Sequence, residues 1–358
     1  MYPYEPEKGR EEALSRKKSV TLKDLADELG VTIQTISKAL RGHPGMSEET
    51  RQLIWHKANE KGYRTKEQLR QLEQDRIAPY PLFQRRFVLV QSEQSLGFHR
   101  LLMQGLHERF AEYGHRITPL VLPQSLQPAR FEEWVEEQSI LYADGIFIAP
   151  RVTPDWFEGR LLQLDAPRIL LNYPPPEAKV DSVVWDVYEA MYVCVRTLHR
   201  KGHRNIMYVG DISSQRGFIL RWQAFVEAMK EVGGDTRMEQ HVIEERQTDE
   251  QWLDLVEQRF KETTPTAIIC GIDEDVTPIY YRLKSLVEIP RQCSFIGFLN
   301  EPSTMLPLVD RPSLLIRETG YRAADRMLWR IANPQQPYEH IRLRADFQHG
   351  NTVALAQR

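Results

Sequence analysis

A chain of 358 residues exceeds one ordinary domain and can bury about three quarters of its unfolded surface, so its cores need no disulfide or metal staples. With 41% hydrophobic and 27% charged residues it falls outside the collagenous, disordered and membrane classes. Its longest apolar runs, such as 145–149 and 267–270, are far short of the roughly 18 residues of a spanning helix. The net charge of −3 hides an asymmetry, because 12 Lys/Arg stand against 7 Asp/Glu between residues 16 and 72. A basic unit fused to an acidic body is the charge pattern of a chain that meets a polyanion at one end. Residues 1–18 are charged throughout and lack the apolar core of a secretory signal. The expectation is a cytoplasmic protein with Cys194, Cys270 and Cys293 as reduced thiols.

After this N-terminal tail, residues 19–64 read as three short helices. Thr21 caps the first, whose Leu22, Leu25, Ala26 and Leu29 fall on one face, and Gly30 ends it. Thr32 caps the second, with Ile36, Ala39 and Leu40 inward and Ile33, Gln34, Ser37 and Lys38 outward, and Gly42 stops it. Ser47, followed by Glu48 and Glu49, starts a third helix that carries Leu53, Ile54, Lys57 and Ala58 to Gly62. Residues 65–86, with Pro79 and Pro81, read as hinge and linker. From Phe87 the rhythm changes. Short apolar runs at 87–90, 117–122, 145–149, 168–171, 205–209, 241–243, 266–270, 294–298 and 314–316 alternate with amphipathic helical stretches, the pattern of βαβ units and parallel sheets. About 270 residues of such a pattern predict two α/β lobes with a cleft between them.

Residues 20–40, with their helix lengths, turn and caps, resemble the headpiece of the lactose-repressor (LacI/GalR) family of bacterial transcription regulators. Later segments resemble the same family in order: Asp144-Gly145 before a strand, Gly202-His203-Arg204 before the next, 294–298, and a closing helix followed by a strand. The resemblance implies a small all-α helix-turn-helix headpiece and an α/β two-lobed core like a periplasmic binding protein. It implies lobes at 87–184 with 301–333, and at 185–300 with 334–358. It also implies that Ile33, Gln34 and Lys38 read bases. The chemistry of these side chains agrees: glutamine pairs bidentately with adenine, lysine donates to guanine, and isoleucine packs on a thymine methyl. Thr32 and Ser37 suit phosphates. In the hinge the family's Pro-Asn pair is replaced by Thr65-Lys66 and its alanine by Leu69, while Arg70 and Leu72 are kept. Thr65–Gln68 forms a capping box for a short helix. Leu72 then either wedges into the minor groove or packs, with Leu69, on a neighbour.

For the effector cleft the resemblance points to Arg221, Asp273, Phe98, and Asn172 or Tyr173, with Asn300 beside Leu299, which replaces an acidic residue, and Ile272 replacing an asparagine. Trp185 adds an aromatic face. Arginine and carboxylate at opposed strand mouths suit a polyhydroxylated or carboxylated ligand; the alternative for Arg221 and Asp273 is a salt bridge. Loss of the two acceptors with retention of Arg221 favours a sugar acid or phosphorylated sugar over a neutral sugar. No metal or cofactor is called for. Gly202 separates His199 from His203, Asp273-Glu274-Asp275 lacks the EF-hand pattern, and no Walker loop, GxSxG or HExxH occurs.

The leading expectation is therefore a homodimeric, effector-controlled regulator, a repressor by resemblance, that binds a pseudo-palindromic double-stranded DNA operator and no membrane. An α/β-cleft enzyme with an accessory helical domain is the alternative, and it lacks a phosphate loop or nucleophile–base set. A solute receptor is the second, and it leaves the basic headpiece unused.

Overall fold

The computed structural model describes residues 20–61, 63, 84–92, 96–150, 155–243, 249–272 and 275–357. The chain divides into two units, Met1–Arg76 and Ile77–Arg358. In the first, helices α1 (Leu22–Leu29), α2 (Ile33–Leu40) and α3 (Glu48–Glu60) surround a core of Leu25, Ala26, Ile36, Ala39, Ile54 and Ala58. Each helix begins on a hydroxyl. Thr21 accepts from the Asp24 amide at 3.3 Å while Asp24 accepts from the Thr21 amide at 2.8 Å, Thr32 accepts from the Thr35 amide at 3.2 Å, and Ser47 from the Thr50 amide at 3.2 Å. These bonds satisfy amides that the helix leaves without partners. Gly30, at φ +65°, turns the chain out of α1 in a conformation that a side chain would strain. Trp55 Nε1 donates to the Ala39 carbonyl at 3.3 Å, tying α3 to the end of α2. Leu53 does not join this core; it is exposed.

The second unit holds a sheet in the order β10-β5-β4-β3-β1-β2, built from β1 (Arg86–Gln91), β2 (Arg116–Val121), β3 (Gly145–Ile148), β4 (Arg168–Leu170), β5 (Asp181–Trp185) and β10 (His340–Leu343), all parallel. Alternate strand residues enter opposite layers, as the period of two requires. Phe87, Leu89, Phe147 and Ile169 pack on α4 (Leu96–Glu112) and α11 (Ile316–Ala332), whereas Val88, Val90, Ile146 and Ile148 pack on α5 (Phe131–Glu137) and α6 (Asp155–Leu161). A smaller parallel sheet, β6 (Ile206–Val209), β7 (Ala267–Cys270) and β8 (Ser294–Gly297), is sandwiched the same way by α7 (Val187–Arg200) and α8 (Arg216–Glu231) on one face and α9 (Asp249–Thr263) and α10 (Thr277–Lys284) on the other. A two-stranded antiparallel ribbon, β9 (Arg311–Ser313) with β11 (Asp346–Gln348), completes the crossovers. Among the described residues no helix is long and apolar enough to cross a membrane, and all three cysteines are buried and free.

The structure corrects the lobe boundaries. β10 pairs with β5 in the first lobe, so 334–343 belongs there rather than to the second lobe. Asp310 bridges to Ile296, and the Phe295 amide donates to the Thr352 carbonyl, so 310–313 and the chain after β11 belong with the second lobe. The strand expected at 314–316 lies instead at 311–313, and Ile316 begins α11. β5 was not expected, because it opens on Asp181-Ser182. Asp181 is fully buried between two guanidinium groups, with Arg326 Nη2 at 2.7 Å and Arg330 Nε at 2.6 Å, and it also accepts from the Glu339 amide at 2.8 Å. Those partners hold its carboxyl below the usual range against the opposing effect of burial, which is the larger single influence.

Candidate functional site

Two surfaces carry chemistry, one in each unit. On α2 the buried Ile36 and Ala39 orient the opposite face outward, leaving Ile33, Gln34 and Lys38 exposed and Ser37 half-buried. A capped eight-residue helix with two long polar side chains and one apolar one on its outward face has the donors, acceptors and methyl surface for base edges. Thr32 is exposed, but its hydroxyl is already engaged by the Thr35 amide and lies 2.9 Å from the Thr35 hydroxyl, so it serves first as the cap. Lys57 and Lys61 clamp Glu28, each at 3.1 Å, which lowers the pKa of that carboxyl and joins α3 to α1. Arg70 and Leu72 lie outside the described residues.

In the larger unit the carboxyl ends of the first lobe's strands face the start of α8 across a cavity with about 440 Å³ of open space. Leu171, Asn172 and Tyr173 follow β4, Val184 and Trp185 end β5, and Gln215, Gly217, Phe218 and Arg221 come from α8. Four of the expected residues, Asn172, Tyr173, Trp185 and Arg221, are therefore brought together. Arg221 is 2% exposed, donates Nη1 to the Gly271 carbonyl at 2.8 Å, and lies between the rings of Phe218 and Phe298 at 5.1 and 5.0 Å. Its guanidinium thus braces two aromatic walls and the loop after β7 before it meets any ligand. Asn172 folds back to accept from the Tyr173 amide at 2.8 Å. The Tyr173 hydroxyl donates to Asp186 at 3.4 Å and accepts from the Val187 amide at 3.3 Å; burial, reinforced by Asp186, raises its pKa and keeps it a neutral phenol.

Asn300 is not among the residues lining this cavity; its main-chain carbonyl accepts from Arg311 Nη1 at 3.2 Å. Leu299 is 8% exposed in the second lobe's core with Met207, Val276 and Val309, and Ile272 packs on the same cluster. Leu299 is a core residue and Ile272 packs against that core, so their apolar character is explained by packing rather than by the ligand. Asp273 lies outside the described residues, as does the side chain of Phe98 in the first turn of α4. His203 is a structural latch, with Nδ1 3.1 Å from Thr266 and Nε2 3.1 Å from both Ser294 and the Ala354 carbonyl. Among the described residues no group of His, Cys, Asp or Glu is arranged to hold a metal ion. Phe218 and Phe298 were missed. Phe218 stands one helical turn before Arg221, a spacing that placed it on the same face, whereas nothing local aims Phe298 at α8.

Residues 21–66 match the family described as bacterial regulatory proteins, lacI family, and residues 195–353 match a periplasmic binding protein-like domain. The chain is 25% identical over 301 residues to catabolite control protein A of Priestia megaterium, covering 83% of this chain and 86% of the relative. Among solved structures, the lac repressor dimer bound to operator and the anti-inducer ONPF is similar with a TM-score of 0.62 at 17% identity, over 94% of this chain and 100% of that one. A LacI family transcriptional regulator from Enterococcus faecium with bound ribose is similar with a TM-score of 0.61 at 18% identity, over 76% and 100%.

Proposed function

We propose how this chain works from the premise that it belongs to the lacI family of bacterial regulatory proteins: it is a DNA-binding regulator of transcription and not an enzyme, and α2 is its reading element. Ile33, Gln34 and Lys38 contact base edges in the major groove, while Ser37, Thr32 and the N-terminus of α2 meet phosphates. Arg70 and Leu72 act at the hinge. Two copies form a two-fold dimer on a pseudo-palindromic operator, one headpiece per half-site. A small effector of the sugar or sugar-acid class binds against Asn172, Tyr173, Trp185 and Arg221, with Phe98 and Asp273 completing the reach of the site. The bound ribose of the Enterococcus faecium structure supports the class. Closure of the lobes around this ligand biases the protein between two states of different DNA affinity.

Support for the DNA half of this reading rests on one feature, the exposure of Gln34 and Lys38 on a helix whose opposite side is fully buried. Gln34→Ala and Lys38→Ala are expected to cost about 1–3 kcal/mol each of binding to the operator and little of binding to random DNA. Fluorescence anisotropy on an operator found by genomic footprinting measures both. Equal losses on the two DNAs would count against base reading.

A further inference from the structure

Beside the chamber around Arg221 the cleft opens into a second one of about 800 Å³ of open space, and its chemistry is different. Both are walled largely by apolar groups, but the first holds one arginine, Arg221, whereas the second, between Pro174, Val184, Ile219 and Leu220, holds Arg216, Arg342 and His340. Arg216 enters it from the first turn of α8, in the second lobe, and His340 and Arg342 enter it from β10, in the first. The register pairs His340 with Ser182 and Arg342 with Val184, so these four share one face of the sheet. Ser182 Oγ lies 3.1 Å from His340 Nδ1.

Two acidic groups stand against the chamber's arginines, and both are already engaged. Glu158 takes Arg216 Nη2 on both its oxygens at 2.7 Å. Asp186 caps α7 by accepting from the Glu189 amide at 3.0 Å, and it stands 3.9 Å from Arg342. Arg216 Nε is buried and has no hydrogen-bond partner among the described residues. A buried guanidinium N–H without an acceptor is costly, and a ligand oxygen would relieve it. Arg342 is 56% exposed and lies over the Tyr173 ring at 5.6 Å. The N-cap of α8, Gln215, makes no side-chain capping bond, so the positive end of a 16-residue helix adds to the same field.

We propose that this second chamber receives the anionic end of the effector, a phosphate monoester or a carboxylate, while the polyhydroxylated part fills the chamber around Arg221. The proposal rests on the effector reading above and moves the anion from Arg221, whose guanidinium is committed to Gly271 and two aromatic rings, to Arg216 and Arg342. Because those two arginines belong to opposite lobes, an anion held between them binds the closed state better than the open one. Differential affinity of that kind is what a population shift requires.

Inorganic phosphate is the first probe on the full-length protein. At constant ionic strength it should raise the thermal midpoint by about 2 °C or more over chloride. The rise should disappear in Arg342→Gln, survive in Arg342→Lys, and survive in Arg221→Gln. Calorimetry then compares glucose, glucose 6-phosphate and glucuronate. The favoured anion should bind about tenfold or more tighter than glucose in the parent, and the ratio should fall to about one in Arg342→Gln. The ratio between the two anions tells phosphate from carboxylate. A phosphate effect that is absent, or equal in the parent and Arg342→Gln, overturns the proposal. Failure of the effector reading looks different: no sugar binds and Arg221→Gln changes nothing, while the phosphate arm still decides the second chamber.

Discussion

His241 sits inside the second lobe, its Nδ1 accepting from the Tyr208 amide at 3.2 Å and its ring edge-on to Trp222 and Phe225 at 5.3 and 5.0 Å. Because Nδ1 accepts, the proton of the neutral ring lies on Nε2, which finds no acceptor among the described residues. Burial holds its pKa down to about 4; Asp235 opposes this and Arg259 adds to it. A histidine whose folded pKa lies below its unfolded value near 6.5 leaves stability intact above that value and removes it as the pH falls toward 4. Urea unfolding should therefore show stability declining across this window, with His241 contributing up to about 1.4 kcal/mol per pH unit. His241→Gln should flatten the decline relative to the parent; an identical pH slope would mean that other groups, such as His203 and His115, whose pKa values burial also lowers, carry it alone. This burial was not legible locally. The run 241–243 was expected to be a strand, but only Val242 bridges to Val209, and His241 is inward because Trp222 and Phe225 arrive from α8.

At the scale of elements, α4 and α11 lie so close that two glycines are required. A Cβ on Gly105 would stand 1.8 Å from the Arg317 carbonyl oxygen, and one on Gly320 would stand 2.2 Å from that of Leu102. Neither carbonyl can yield without moving its helix. Gly320→Ala is expected to cost about 1–3 kcal/mol, as overpacking does, although alanine is the better helix former in isolation. Gly159→Ala in α6, where nothing lies within 4 Å, should instead gain about 0.5–1 kcal/mol. Thermal unfolding of both variants checks the contrast, and a neutral Gly320→Ala would show that the helices can part without cost. The sequence announced amphipathic helical stretches between the apolar runs. It carried no sign that α4 and α11 touch, since the contact joins residues about two hundred positions apart.

For the whole molecule the consequence is assembly. Tyr281 on α10 donates its hydroxyl to the Met305 carbonyl at 2.8 Å, and Tyr281, Met305 and Leu308 are 47%, 65% and 55% exposed. Exposed large apolar side chains of this kind suit the proposed two-fold interface. Sedimentation at micromolar concentration should give a dimer, and Leu308→Asp should shift it toward monomer and weaken operator binding together. A parent that sediments only as monomer, with and without DNA, would sink the dimer.

The headpiece was determined by the sequence alone, because its signals are local. Thr21, Thr32 and Ser47 each bond an amide three residues away, Gly30 supplies its own positive φ, and the period of 3.6 turns Ile36 and Ala39 inward and Gln34 and Lys38 outward without help from distant residues. The alternation of strands and helices in the core was legible for the same reason. Only the tertiary structure decided which side chains meet in the cleft. Arg221 is braced by Gly271 and Phe298, Leu299 and Ile272 turn into the core, and β10 joins the first lobe through its register with β5. Arg216 and Arg342 face one chamber because two lobes carry them there. A capping bond depends on its neighbours in the chain, whereas the wall of a cavity depends on how separate layers pack, and no local period encodes that.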